Sequence, residues 1–153
     1  MSKSLIIYYS WSGNTKVIVD YIEELTCADI FEIKPVKPYS TNYSTCLNEA
    51  KNDLNTNARP ELEEYLSNVD EYDTIYVGYP NWWGTIPMPI LTQLEKLDLN
   101  RKIIKPFVTS GGTGIGSSKR DIEKSSKGAK VEEGLSIRSS SINSAKNTVK
   151  EWI

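Results

Sequence analysis

Short apolar runs alternate along this chain with stretches in which apolar residues recur every three or four positions, the signature of strands followed by amphipathic helices. The first run, Leu5-Ile6-Ile7-Tyr8-Tyr9, reads as a buried strand, and Ile18, Tyr21, Ile22 and Leu25 mark one face of a helix over Lys16 to Leu25. Asp29 to Ile33 predicts a second strand, closed by Pro35 and Pro38. The following segment, Val36 to Arg59, is largely polar, with a short helix expected over Tyr43 to Leu54. Pro60 and Glu61 suit the opening of a clearer helix whose buried stripe is Leu62, Tyr65, Leu66 and Val69. Thr74 to Gly78 gives a third strand. Pro87 and Pro89 fit the first turn of a helix that buries Ile90, Leu91, Leu94 and Leu97. Ile103 to Thr109 is a fourth strand, Ile115 and Ile122 belong to a weak helix ending near Gly128, and Val131 to Ile137 reads as a marginal edge strand. Ala145, Val149 and Trp152 mark a closing helix.

Strands this apolar leave no face for water, which predicts a mostly parallel sheet covered by helices on both sides, an open α/β fold. The 153 residues suit one domain spanning 1–153. The residues that suit no core fall into three loops, and each follows a strand: Ser10 to Thr15 after the first, Tyr79 to Thr85 after the third, Ser110 to Gly116 after the fourth. In a five-stranded sheet of order 2-1-3-4-5 those strands are neighbours, and the switch point between strands one and three is where a ligand crevice opens.

The three loops differ in chemistry. Ser10-Trp11-Ser12-Gly13-Asn14-Thr15 joins a strand to a helix and offers hydroxyls, an amide and a flexible Gly where the first helix amides have no partner. That combination suits a phosphate dianion, with Lys16 at its edge; an ordinary helix cap is the plain alternative. Pro80-Asn81-Trp82-Trp83-Gly84-Thr85 brings two indoles, which core packing or a partner surface would equally employ. Ser110-Gly111-Gly112-Thr113-Gly114 brings bare backbone for close approach, or else a flexible linker. A ligand with a phosphate at one end and a large aromatic ring at the other fits all three, and FMN is such a ligand.

Composition removes several classes. The sequence contains no His, and Cys27 and Cys46 stand alone, so the usual zinc sites and His-based triads are out and no metal or catalytic residue is expected. A net charge of −2 argues against nucleic-acid binding, and the absence of a long apolar segment or signal-peptide pattern argues for a cytoplasmic protein without membrane contact. Charge is uneven: eight acidic residues between Asn48 and Asp73 face only Lys51 and Arg59, while nine basic ones lie between Lys96 and Lys130. Both are read as solvated faces, with docking of a basic redox partner on the acidic segment as the alternative. G-x-G-x-x-G is not completed, because Ser117 stands where the last Gly would follow Gly112 and Gly114, and no Walker loop is present.

Ser10-x-Ser12-Gly13-Asn14-Thr15 resembles the T/S-x-T/S-G-N-T phosphate loop of flavodoxins. Pro80-Asn81-Trp82-Trp83-Gly84 and Ser110-Gly111-Gly112-Thr113-Gly114 resemble the two flavin-ring loops of a short-chain, double-tryptophan branch of that family, and the likeness runs from Lys3 to Ile153. It implies a flavodoxin-like three-layer αβα sandwich. It also implies that Ser10, Ser12, Asn14, Thr15 and the amides of Trp11 to Thr15, Gly13 among them, hold the FMN phosphate. Trp82 or Trp83 would pack on the isoalloxazine, the backbone of Asn81 to Thr85 would reach its N5 edge, and Ser110 to Gly114 would meet the pyrimidine end. Unlike many flavodoxins the third loop carries no Tyr, which leaves one flavin face more open; Tyr39 and Tyr43 are candidates to cover it from one side.

The expected function is therefore electron transfer through non-covalently bound FMN, to redox partner proteins or small electron acceptors, by a monomer or weak homodimer. The runner-up is an NAD(P)H-dependent quinone reductase of the tryptophan-repressor-binding-like kind, favoured by an open flavin face. A flavin-free interaction module is the third reading; phosphorylation receivers share the sheet order but need acidic strand ends, which are missing here.

Overall fold

A computed structural model describes residues 3–112 and 114–153; Thr113 of the third loop lies outside the described residues. The elements run β1 Lys3–Tyr8, α1 Asn14–Thr26, β2 Asp29–Glu32, α2 Tyr43–Asn55, β3 Tyr72–Pro80, α3 Met88–Leu94, β4 Ile103–Ser110, α4 Ser118–Ser125, β5 Lys130–Val131, β6 Leu135–Arg138, a 3-10 turn over Ser139–Ser144, and α5 Lys146–Trp152. The strands pair in parallel in the order β2-β1-β3-β4-β5, with β6 also on β4.

Alternate side chains of each strand enter opposite layers, as the pleat requires. Leu5, Ile7, Ile75, Val77, Tyr79, Ile104 and Val108 belong to the core shared with α2, α3 and α4. Ile6, Tyr8, Tyr76, Phe107 and Ile137 belong to the opposite core, closed by Ile18, Val19 and Ile22 of α1 and Val149 of α5. Both faces are buried, in agreement with strands that read as continuous apolar runs. Gly78 matters here: a Cβ on it would sit 2.1 Å from the Phe107 ring, so the Phe occupies the space a side chain would need.

The fifth position of the sheet is filled by two short segments where a single edge strand, Val131 to Ile137, is expected. The amides of Lys130 and Glu132 donate to the carbonyls of Lys102 and Ile104, both at 2.9 Å, so the even-numbered residues of this end of β4 face that neighbour. Pro106 is the next residue on that side and has no N–H to contribute. Pairing resumes at Phe107 with Leu135, four steps beyond Val131 but only three beyond Ile104, so one extra residue is bulged out opposite the proline.

The helix expected after Pro60 is not formed. Val36 donates to the carbonyl of Glu61 and Glu63 to that of Lys34, both at 2.8 Å, which makes an antiparallel bridge between Pro35 and Leu62. The Tyr65 hydroxyl then accepts the Leu62 amide, and the fully buried Gln93 side chain exchanges two hydrogen bonds with Leu66, at 2.8 and 3.2 Å. Distant partners thus satisfy a backbone whose apolar spacing alone suggests a helical ladder. Leu62 and Val69 are still buried, but Tyr65 is exposed. Similarly α3 ends before Leu97 and α4 begins after Ile115, and both side chains pack on the core from loops.

Candidate functional site

Parallel strands all deliver their following loops to one end of the sheet, so β1, β3 and β4 bring the three loops together. Chain-to-chain bonds hold them there. Tyr9, which opens the first loop, donates its amide to Gly78 at 3.0 Å, and Asn81 donates its amide to Thr109 at 2.9 Å. Asn81 also clasps the second and third loops: its Nδ2 donates to the carbonyl of Gly114 at 2.7 Å while its Oδ1 accepts the amide of Gly84 at 3.0 Å. Gly84 returns its carbonyl to the amide of Ser117 at 2.8 Å. A Cβ on Gly116, at φ 58°, would lie 2.1 Å from that carbonyl oxygen, so the approach of the two loops depends on a bare backbone there.

The first loop ends in an N-terminus open to a ligand. Gly13 takes φ 93°, a left-handed conformation that places it at the cap position of α1 without any side-chain acceptor. The Lys16 amide donates to Ser10 Oγ at 3.3 Å, whereas those of Asn14 and Thr15 have no partner among the described residues. Ser12 and Gly13 are exposed, Ser10, Trp11 and Asn14 half-buried. Thr15 is different: its hydroxyl is buried against Thr109 Oγ1 at 3.0 Å, tying α1 to β4, so what it offers the loop is its amide. Trp11 Nε1 donates to the carbonyl of Ser40 at 3.0 Å, and its ring lies against Tyr43. The open positions at Gly13, where no atom lies within 4 Å of a would-be Cβ, and the unpaired amides together make an anion cradle of the kind a phosphate monoester fits.

The two indoles of the second loop have separate environments. Trp82 and Thr85 exchange amide–carbonyl bonds of 3.1 and 3.2 Å around Trp83, φ 55°, and Gly84, φ 79°, a tight turn with two left-handed residues. This turn sends neighbouring side chains in opposite directions. Trp82 is buried, edge-on to Tyr9 at 5.4 Å and Tyr39 at 4.9 Å. Trp83 is 45% exposed; its Nε1 donates to the carbonyl of Leu47, and the Lys51 ammonium lies 4.9 Å from its ring. Thr85 is buried and donates its hydroxyl to Asp121 on α4.

In the third loop Ser110 is buried and its Oγ accepts the amides of Gly112 and Gly114, both at 3.2 Å, an internal brace that leaves Gly111 and Gly112 exposed at the surface. Pro80 ends β3, half-buried, directly opposite Thr109.

Sequence reasoning named Tyr39 and Tyr43 only as covers for a flavin. Tyr39 instead packs edge-on to Trp82 and Tyr9 and donates its hydroxyl to Asp53 of α2, while Tyr43 is an exposed neighbour of Trp11. Burial and the Asp53 carboxylate push the Tyr39 hydroxyl well above the usual phenol range, and burial does the same for Tyr9, so this aromatic wall stays neutral. Asp53, Asp121, Ser117 and Arg138 were not foreseen as neighbours of the loops. Each lies more than thirty residues from its contact or on a poorly patterned segment, and no local signal marks them. Among the described residues, no group of three His, Cys, Asp or Glu is placed to hold a metal, and no helix is long and apolar enough to cross a membrane.

A doubly wound parallel sheet with an open helix N-terminus and two further loops gathered at its switch point defines a flavodoxin-like architecture. The Flavodoxin family model matches residues 3–153, and the chain belongs to that family. Among solved structures, it is similar to a candidate flavoprotein of Bacteroides uniformis ATCC 8492 (29% identity, TM-score 0.84, covering 99% of this chain and 97% of the other). It is also similar to a flavoprotein of Lactobacillus acidophilus NCFM solved in complex with FMN (27%, 0.75, 94% and 98%). Oxidised flavodoxin 2 of Bacillus cereus, at 20% identity and TM-score 0.57, shares the fold over 99% of this chain and 100% of its own. No curated protein matches the chain.

Proposed function

We propose that this FMN-binding, flavodoxin-like protein carries electrons between redox partners, in the cytoplasm, through its non-covalently bound flavin. The observation that carries the reading is the meeting of an uncapped helix N-terminus with two loops that contain no charged residue. The amides of Asn14 and Thr15 and the hydroxyls of Ser10 and Ser12 would bind the phosphate. Trp83, the more exposed indole, would lie beside the ring system, and the backbone of Gly84 and of Gly111 to Gly114 would border its polar edge. Bound there, FMN supplies the electron chemistry, and the protein orients it and sets its potential. Trp82, Tyr9 and Tyr39 form an apolar floor that excludes water. Docking on the acidic stretch fits one part of it better than another: Asp70, Glu71 and Asp73 lie where β3 begins, at the far end of the sheet from the loops, whereas Glu49 and Asp53 on α2 adjoin them.

Expression without added flavin, followed by visible spectra before and after photoreduction, tests the proposal. A yellow protein whose reduction passes through a distinct long-wavelength absorbing form supports one-electron transfer. Direct bleaching in one two-electron step supports the second reading, an NAD(P)H-dependent quinone reductase, which the partly exposed Trp83 and the lack of a third-loop aromatic favour. A colourless protein that also fails to take up FMN would refute both.

A further inference from the structure

We propose that Arg138 tunes the flavin: its guanidinium, at the carboxyl end of β6, stabilises the negative charge that the isoalloxazine acquires at its pyrimidine end on reduction. The inference rests on the FMN reading and adds to it a residue outside the three loops.

Arg138 pairs with Ser110 in the β4–β6 register, so its backbone stands beside the start of the third loop. The next residue fixes that position, since Ser139 Oγ donates to the carbonyl of Ser110 at 3.1 Å. Its side chain leans over the loop: Arg138 Cζ is 4.0 Å from where a Cβ on Gly112 would be. Among the described residues no carboxylate pairs with it, as is also true of Arg101, Arg120 and most of the lysines; what sets Arg138 apart is its place over the third loop. The three loops contain no Asp, Glu, Lys or Arg, so nothing within them neutralises this cation. An arginine cannot escape by losing its proton. An exposed, unpaired guanidinium at a site rim is a receptor for an anion.

Position decides which anion. The phosphate cradle follows β1, and β6 lies three strand spacings away, about 14 Å at about 4.8 Å per spacing. The anion near Arg138 is therefore not the phosphate but a charge at the other end of the ligand. Uptake of two electrons from a reductant, dithionite in the assay, and one proton at N5 leaves FMN with one additional negative charge, spread over N1 and the C2 carbonyl. The oxidised ring carries none. Arg138 thus favours the reduced form selectively, and the expected consequence is a higher potential with little change in affinity for oxidised FMN.

Arg138→Gln and Arg138→Lys test this. Affinity for oxidised FMN, the two-electron midpoint potential from dithionite titration against a reference dye, and thermal stability are measured on each. For Arg138→Gln we expect oxidised FMN to bind within about twofold of wild type while reduced FMN binds about tenfold more weakly, which is about 30 mV of potential. Arg138→Lys should recover most of the difference, and about 1 M salt should shrink it. An unchanged potential with intact FMN binding overturns the role of Arg138 and leaves the FMN reading standing. A lower melting temperature with unchanged potential would show a merely structural arginine. If wild-type protein takes up no FMN at all, the binding reading itself fails and this inference falls with it.

Discussion

Replacing Trp82 by alanine takes the central ring out of a buried aromatic group. Its indole is 9% exposed and edge-on to two tyrosines, with centroid distances of 5.4 Å to Tyr9 and 4.9 Å to Tyr39. A buried Trp→Ala change costs about 3–5 kcal/mol, and the lost edge-to-face pairs, about 0.5–1.5 kcal/mol each, belong within that figure. Trp83→Ala removes far less. The side chain is nearly half exposed, and the loss is one hydrogen bond to Leu47, about 1 kcal/mol, and one contact with Lys51, about 0.5–1 kcal/mol. At about 2–4 °C per kcal/mol for a chain of this size, Trp82→Ala should melt about 6–20 °C below wild type and Trp83→Ala about 5 °C below. Far-ultraviolet circular dichroism of the flavin-free proteins measures both. FMN affinity should rank the other way, with Trp83→Ala losing more than its modest stability change accounts for. If Trp82→Ala melts within about 3 °C of wild type, or above Trp83→Ala, the assignment of one indole to the floor and the other to the ligand side is wrong.

Gly116→Ala should weaken FMN binding with only a moderate stability loss, because its Cβ collides with the Gly84 carbonyl and pushes the second and third loops apart; unchanged affinity by flavin fluorescence would show that their spacing is irrelevant. In the native protein a thiol reagent at pH 8 should label Cys27, which is exposed, and spare Cys46, whose thiol burial pushes up to about 11; mass spectrometry of the labelled peptides reads the outcome, and equal labelling would contradict the packing of α2. Glu95 is held below its ordinary value of 4.5 by the hydrogen-bonded Arg59 guanidinium, so ionisation of this carboxyl favours the fold above about that pH and the contribution fades as pH falls through its lowered value. Arg59→Gln should accordingly be less stable than wild type at pH 7, by about 1 kcal/mol or less given the partial exposure of the pair, with the gap closing as pH falls through that lowered value. A gap in urea midpoint that is independent of pH would mean that the ion pair is not its source.

What the sequence determined by itself was whatever depends on neighbours along the chain. Runs such as Leu5 to Tyr9 and Thr74 to Gly78 can only be strands buried on both faces, and buried parallel strands with helical connections entail the layered sheet and the common end where its loops gather. The strand-to-helix loop with its open helix N-terminus was legible for the same reason: Ser10 to Thr15 is contiguous, and a helix N-terminus is a local property. Tertiary structure decided everything that rests on distant partners. The stripe from Leu62 to Val69 has helical spacing, yet Lys34, Val36 and Gln93 take its backbone bonds. Pro106 looks harmless within its own strand and breaks the strand beside it. Trp82 and Trp83 are adjacent and chemically identical, and only a turn with two left-handed residues sends one into the core and the other to the surface. Arg138 is an unremarkable residue at the end of a short strand until the register sets it beside Ser110 and over Gly112, because a charge acts through space and the chain records only order.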